Sequence, residues 1–251
     1  MPAQTAKTKT AGLNEDSVLS RITGEFLHVS KYTEQMNEPV QKRKAPSRTN
    51  DPARTMAEIL EVATTEFADK GLSGARIDEI AAATRTSKRM IYYYFGSKEG
   101  LYLAVLEDAY RRIRETEAEL HLADLSPEEA LKALVGFTFD HHHNNQDFVR
   151  LVISENMQRG AYLAQSELIQ ALNVSVIQAI EALYKRGVKA GVFRKGLDPI
   201  DIHASISALT FFNVSNRYTF DLIFKRDSQT AKALAARRRN VVEMVLRFVS
   251  Y

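Results

Sequence analysis

"RTSKRMIYYYFGSKEGLY", residues 85–102, gathers Arg85, Lys88, Arg89 and Lys98 around three consecutive tyrosines, Tyr92, Tyr93 and Tyr94. Ser87 reads as the cap of a helix over 87–94, its hydroxyl accepting a free N–H of the first turn. Lys88 and Arg89 then sit at the positive end of the helix dipole. They weaken the isolated helix unless an anion arrives from outside, and the oriented N–H groups favour a phosphate. The tyrosines point about 100° apart around a helix, so at least one must face a partner. A phenol can rest its ring on the helix and give its hydroxyl to a phosphate oxygen or a base edge.

Working outward, "ARIDEIAAATRTSKRMIYYYF" (75–95) has the length and polarity of two short helices joined by a tight connection, a helix-turn-helix. Ile77, Ile80, Ala81, Met90, Ile91 and Phe95 face inward on a preceding helix that offers Ile59, Leu60, Ala63 and Phe67. The charged residues are left outside, and Lys98 falls where a flanking phosphate would lie. Duplex DNA accounts for the whole pattern.

The rest of the chain reads as all-α. Asp51-Pro52, Ser126-Pro127 with Glu129, and Asp198-Pro199 each pair a capping side chain with proline at the first helical position. Gly71, Gly160 and Gly191 mark stops. The spacing predicts helices over 52–70, 77–83, 87–94, 97–121, 126–143, 146–159, 166–190, 199–224 and 228–249, with no hairpin signals between them. Residues 1–50 read as a flexible basic arm, with Leu19, Ile22, Phe26 and Val29 at helical spacing and Lys42, Arg43 and Lys44 near its end. Met36 is an alternative start.

Composition sets limits on function. Hydrophobic residues make up 45% of the 251 and charged residues 26%, as in an ordinary globular chain. The absence of cysteine excludes disulfides and thiolate chemistry and suits the cytoplasm. No apolar run approaches a membrane span and no signal peptide opens the chain. A net charge of +3 is too small to announce a nucleic-acid partner, so the position of the charges carries that reading.

Phe67, Gly71, Ile80, Ala81, Ser87, Ile91, Tyr92, Phe95, Lys98 and Leu101 match the pattern of the TetR family of bacterial transcriptional regulators, which the chain resembles over about residues 52–103. The resemblance implies a small three-helix DNA-binding domain, 51–97, followed by a larger helical domain, 98–251, that binds a small molecule and dimerises. It also implies double-stranded operator DNA, a small-molecule effector and a second copy of the chain as partners, with no cofactor. Ser87, Lys88, Arg89, Tyr92, Tyr93, Tyr94 and Lys98 become the implied DNA contacts. The chain departs from the family where Arg85 replaces the frequent turn glycine, Thr86 a small aliphatic residue, Arg76 a Ser or Thr cap, and Tyr94 a histidine. Each departure adds a group able to meet a phosphate. In the C-terminal part, "DFVRLVISEN" (147–156), "RGVKAGVFR" (186–194) and "SALTFFNVSNR" (207–217) are similar to members that control catabolism of aromatic or heteroaromatic compounds such as nicotinate.

The C-terminal residues offer candidates of their own. Ile202, Ile206, Leu209, Asn213 and Arg217 fall on one stripe of the expected 199–224 helix, and a guanidinium beside an amide suits a carboxylate; a helix-end salt bridge or dimer contact is the structural alternative. Phe137, Thr138 and His141 could line the same cavity, and Asn156 and Met157 could add to it. His141, His142 and His143 are consecutive and point in different directions, so they do not hold one metal. One helix-turn-helix selects an operator poorly, whereas two related by a two-fold axis read half-sites on successive turns. Phe211, Phe212, Val214, Val241, Val245 and Phe248 exceed what one helix stripe hides, which places the dimer interface on the last two helices. Two rival classes stay open: an interaction protein without ligand, marked by a filled C-terminal core, and a helical enzyme using His141 or His203 near Glu155.

Overall fold

The computed structural model describes residues 51–250, and the expected basic arm over 1–50 lies outside them. Among the described residues there are ten α-helices, two short 3-10 turns and no strand. The first four helices are α1 (Pro52–Gly74), α2 (Ile77–Ala83), α3 (Lys88–Phe95) and α4 (Lys98–Ala118). They are followed by α5 (Pro127–Asn144), α6 (Gln146–Met157), α7 (Glu167–Lys189), α8 (Pro199–Ser215), α9 (Arg217–Phe224) and α10 (Ala231–Val249). No helix among them is long and apolar enough to cross a membrane.

The starts follow from capping. Asp51 Oδ1 accepts from Ala53 N and Arg54 N at 3.0 and 3.3 Å, Ser126 Oγ from Glu129 N at 3.4 Å, and Asp198 Oδ1 from Ile200 N at 2.9 Å. Each satisfies N–H groups that the first turn leaves free. Gly71 adopts φ 65° but only interrupts α1, which runs one more turn to Gly74.

The expected helix over 199–224 is two helices. At Asn216 the backbone leaves helical geometry (φ −110°, ψ 3°), Ser215 Oγ donates to Asn216 Oδ1 at 2.6 Å, and α9 restarts at Arg217. An asparagine side chain that competes for local hydrogen bonds breaks the run without Gly or Pro.

Two hydrophobic cores form. The first gathers Ile59, Ala63 and Phe67 of α1, Ile77 and Ile80 of α2, Ile91 of α3 and Leu101, Tyr102, Val105 and Leu106 of α4. It continues into Leu151 of α6 and Ile169 of α7, so this core does not stop at residue 97. The second joins Leu131, Leu134 and Phe139 of α5, Val176, Ile180 and Leu183 of α7, Ile202 and Ile206 of α8, and Val241, Val245 and Val249 of α10. Between the cores, α7 is the shared element, giving Ile169 to the first and Val176, Ile180 and Leu183 to the second. The first turn of α4 meets α3, where a Cβ on Gly100 would overlap the Phe95 carbonyl oxygen, so glycine allows the close approach.

Candidate nucleic-acid interface and effector cavity

The turn between α2 and α3 ends α2 in a Schellman motif. Thr86 N donates to Ala81 O at 3.0 Å and Arg85 N to Ala82 O at 3.3 Å, with Arg85 itself at φ 52°. Arg85 therefore takes the left-handed conformation that glycine would adopt without strain, at a cost of about 1 kcal/mol, and its side chain is exposed. Arg76 precedes α2 without capping it; the Arg76 N–H is satisfied instead by Glu66 Oε1 of α1 at 3.0 Å. Asp78 and Glu79 complement the positive end of α2.

Ser87 Oγ caps α3 by accepting from Met90 N at 3.2 Å. Ile91 is fully buried, and this fixes the rotation of the helix. Two outward rows result, Lys88 with Tyr92 and Arg89 with Tyr93, each four residues apart on one side of the helix. Tyr93 is 78% exposed and Tyr92 44%, whereas Tyr94 packs on the first core and meets Tyr93 and Phe95 edge to face. Of the three tyrosines, Tyr94 is held mainly by packing.

The cations differ in what they touch. Lys88 Nζ lies 2.6 Å from Asp78 Oδ1, and this hydrogen bond holds the Asp78 carboxyl below its usual range. Arg76 reaches the same carboxylate at 3.9 Å. Lys98 Nζ donates to the Ser73 carbonyl at 3.4 Å, tying the start of α4 to the end of α1. Arg85 and Arg89 make no ion pair among the described residues.

The larger half contains an inner cavity of ≈ 160 Å³ bounded by α4, α5, α6, α7 and α8. Tyr110, Phe148 and Phe211 give it aromatic walls, and Arg114, Glu117, His142, His203 and Ser207 add polar groups. Arg114 and Glu117 form an ion pair at 2.5 Å, both side chains only 12% exposed, and Arg114 Nε is buried without a hydrogen-bond partner among the described residues. Burial pushes the Glu117 carboxyl up and the Arg114 guanidinium down. His142 stands 3.1 Å from Thr210 Oγ1, whose own proton goes to Ile206 O at 2.8 Å. Nδ1 of His142 must therefore donate, which leaves Nε2 as an acceptor. Burial lowers His142 and His141 to about 4, so both rings are neutral at pH 7.

The sequence-derived ligand residues do not converge on this cavity. Thr138 lines it, but Phe137 packs at a tilt on His141, and His141 borders a separate open cleft beside α1 and α4. Asn156 is exposed and its amide returns to Val152 O of its own helix at 2.9 Å; Met157 is also exposed. Asn213 and Arg217 line a third cleft between α8, α9 and α10. The physical reason is the rotation of α8: His203, Ile206, Ser207 and Phe211 face the inner cavity, whereas Asn213, before the break at Asn216, turns to α10 and accepts from Arg237 Nε at 2.9 Å. Sequence reasoning missed Tyr110, Arg114 and Glu117, and considered His142 and His203 only for metal binding and catalysis, not for this cavity. The signal available was the 110, 113, 114, 117 spacing on α4, which places a charged pair on an otherwise inward face.

Phe211 turns into the cavity and Val241 and Val245 into the second core, so they are not free for an interface. Exposed apolar side chains concentrate instead on α8 and α9: Phe212, Tyr218, Phe220, Leu222, Ile223 and Phe224, with Leu222 81% exposed.

Residues 59–105 match the family described as bacterial regulatory proteins, tetR family, and residues 127–245 match the Tetracyclin repressor-like, C-terminal domain. The chain is 32% identical over 208 residues to the HTH-type transcriptional repressor NicS of Pseudomonas putida, covering 83% of this chain and 98% of that relative. A crystal structure of the putative transcriptional regulator SCO4942 from Streptomyces coelicolor superposes at TM-score 0.60 with 28% identity, over 78% of this chain and 98% of that one. AibR, solved in complex with isovaleryl coenzyme A and operator DNA, shares the fold at TM-score 0.58 with 19% identity, over 76% and 97% of the two chains. The chain belongs to the TetR family of bacterial transcriptional regulators.

Proposed function

We propose that this protein is a repressor that occupies operator DNA through residues 51–97 and is released when a small molecule enters the inner cavity of residues 98–251. The observation that carries this reading is α4: one continuous helix supplies Gly100 against α3 at its start and Tyr110, Arg114 and Glu117 to the cavity wall farther along. A ligand that displaces the cavity end of α4 therefore moves α3. It must bind the released arrangement better than the DNA-bound one, since equal affinity shifts nothing.

On the DNA side, Arg85, Thr86, Ser87, Lys88, Arg89, Tyr92 and Tyr93 meet phosphates and base edges, with Arg76, Tyr94 and Lys98 at the margins. Lys88 exchanges Asp78 for a phosphate on binding. Tyr218, Leu222, Ile223 and Phe224 of α9, exposed and outside the cleft between α8, α9 and α10, support a homodimer, because an apolar cluster of that size needs cover. We place the dimer with the chromosome in the bacterial cytoplasm.

The inner cavity favours a ligand-controlled regulator over an interaction protein with a filled core. The enzyme reading loses its carboxylate: Glu155 is fully buried, and its Oε2 accepts from Tyr162 N and Leu163 N at 3.2 and 3.0 Å. The test is binding to DNA from upstream of the protein's own gene, followed by fluorescence anisotropy while aromatic and carboxylate metabolites are added in turn. One compound should release the wild type, and Ser207→Phe, which fills the cavity, should bind DNA but ignore that compound. Equal release of both proteins would refute the assignment of the cavity.

A further inference from the structure

The consecutive arginines Arg237 and Arg238 on α10 have opposite surroundings. Arg238 closes a two-toothed contact on Asp140 of α5, with Nε 2.9 and 3.0 Å from the carboxylate oxygens and a terminal nitrogen at 2.8 Å. Arg237 turns the other way into the cleft between α8, α9 and α10, a space of ≈ 450 Å³. Its only hydrogen bond among the described residues is to a neutral amide, Asn213 Oδ1, at 2.9 Å.

Arg217 and Arg226 line the same cleft, so three guanidinium groups share it. No carboxylate lines it, and none of the three arginines is in an ion pair among the described residues. Arg217 is held by Gln229 Oε1 at 3.5 Å and lies 4.4 Å over the Tyr218 ring. The two carboxylates of the neighbouring segment bond to Ser228 and Gln229 rather than to an arginine. Asp221 Oδ2 accepts from Ser228 N and Ser228 Oγ at 3.2 and 2.7 Å, and Asp227 Oδ1 from Gln229 N at 3.0 Å. Three like charges without a counter-charge repel one another, and a planar fork matches carboxylate and phosphate oxygens. The opposite wall is apolar, formed by Phe139, Phe212, Phe220 and Leu234.

We infer that this cleft is a second ligand site, distinct from the inner cavity, and that it takes an amphipathic organic anion. A carboxylate or phosphate head lies on Arg217, Arg226 and Arg237, and an apolar body lies along the phenylalanines. The site stands apart from the DNA reading and does not require it.

Anilinonaphthalene sulfonate, an aromatic anion that fluoresces when shielded from water, is a direct probe for the full-length protein. Octanoate and octyl phosphate should displace it from the wild type and octanol should not; the better competitor identifies the head group. The Arg217→Gln/Arg237→Gln variant should bind the probe at least about tenfold more weakly. Arg226→Gln, on an exposed loop residue, keeps the test open if the double variant does not fold, and should lose about threefold. Displacement by octanol equal to that by the anions would overturn the site, as would unchanged probe affinity in these variants. Absence of probe binding in the wild type, with the double variant shifting dimer dissociation, would also overturn it by showing that the second protomer fills the cleft.

Discussion

Lys88–Asp78 on the DNA-facing side and Arg114–Glu117 in the inner cavity are the same chemistry in two environments. The first pair joins α3 to α2 at 2.6 Å with its side chains 55% and 50% exposed, and the second joins two residues of α4 at 2.5 Å with both 12% exposed. Water screens the surface pair, so its partners exchange at little cost and Lys88 is available to a phosphate. Desolvation makes the cavity pair expensive to break, and neither member can leave without stranding the other. The difference teaches that the reading surface keeps its charges in reserve, whereas the cavity fixes its charges in place to define what may enter.

The sharpest way to break that comparison is to remove one partner from each pair. Arg114→Met should destabilise the protein by about 3–5 kcal/mol in chemical denaturation, and Arg114→Met/Glu117→Leu should recover most of the loss. Lys88→Met should leave stability unchanged, and an equal effect of the two single substitutions would end the comparison.

Acid should reach the cavity before the DNA face. Burial holds His142 near 4 in the folded protein against the ordinary value of 6.5. The unfolded chain therefore binds the extra proton between those values, and stability falls as pH drops from 6.5 towards 4. Above 6.5 this contribution is complete. The loss for one such ring is on the order of 3 kcal/mol, and a urea series across that range should show it shrinking in His142→Gln.

Arg85 sharpens the comparison from the other side, because it carries strain at the surface. Arg85→Gly should raise stability by about 1 kcal/mol by relieving the left-handed backbone. The same change should weaken operator binding and make its dependence on log salt shallower by about 1. Lys88→Ala should make the smallest change, a salt slope shallower by about 0.9 with the sequence preference retained.

What the sequence made legible follows the same division. The caps at Asp51, Ser87, Ser126 and Asp198 act within three residues, and each is in place. The α2–α3 pattern is equally local, and even the arginine at the glycine position of its turn keeps the expected geometry. The cavity brings Arg114, His142 and His203 together from three helices far apart in the chain, and no short-range pattern records that meeting. The break at Asn216 escaped for a different reason. An asparagine in an apolar helical run carries no stop as strong as Gly or Pro, yet α8 ends before it and α9 begins after it.

In-vitro selection of random duplex DNA by the full-length protein tests the central claim most directly. Wild type should enrich an inverted repeat with half-sites about 10 base pairs apart centre to centre, or a multiple of that, and Arg89→Ala/Tyr93→Ala should enrich nothing. Enrichment of the same motif by that variant would contradict the assignment of α3 as the reading helix, and recovery of no motif by the wild type would contradict sequence-specific DNA binding itself.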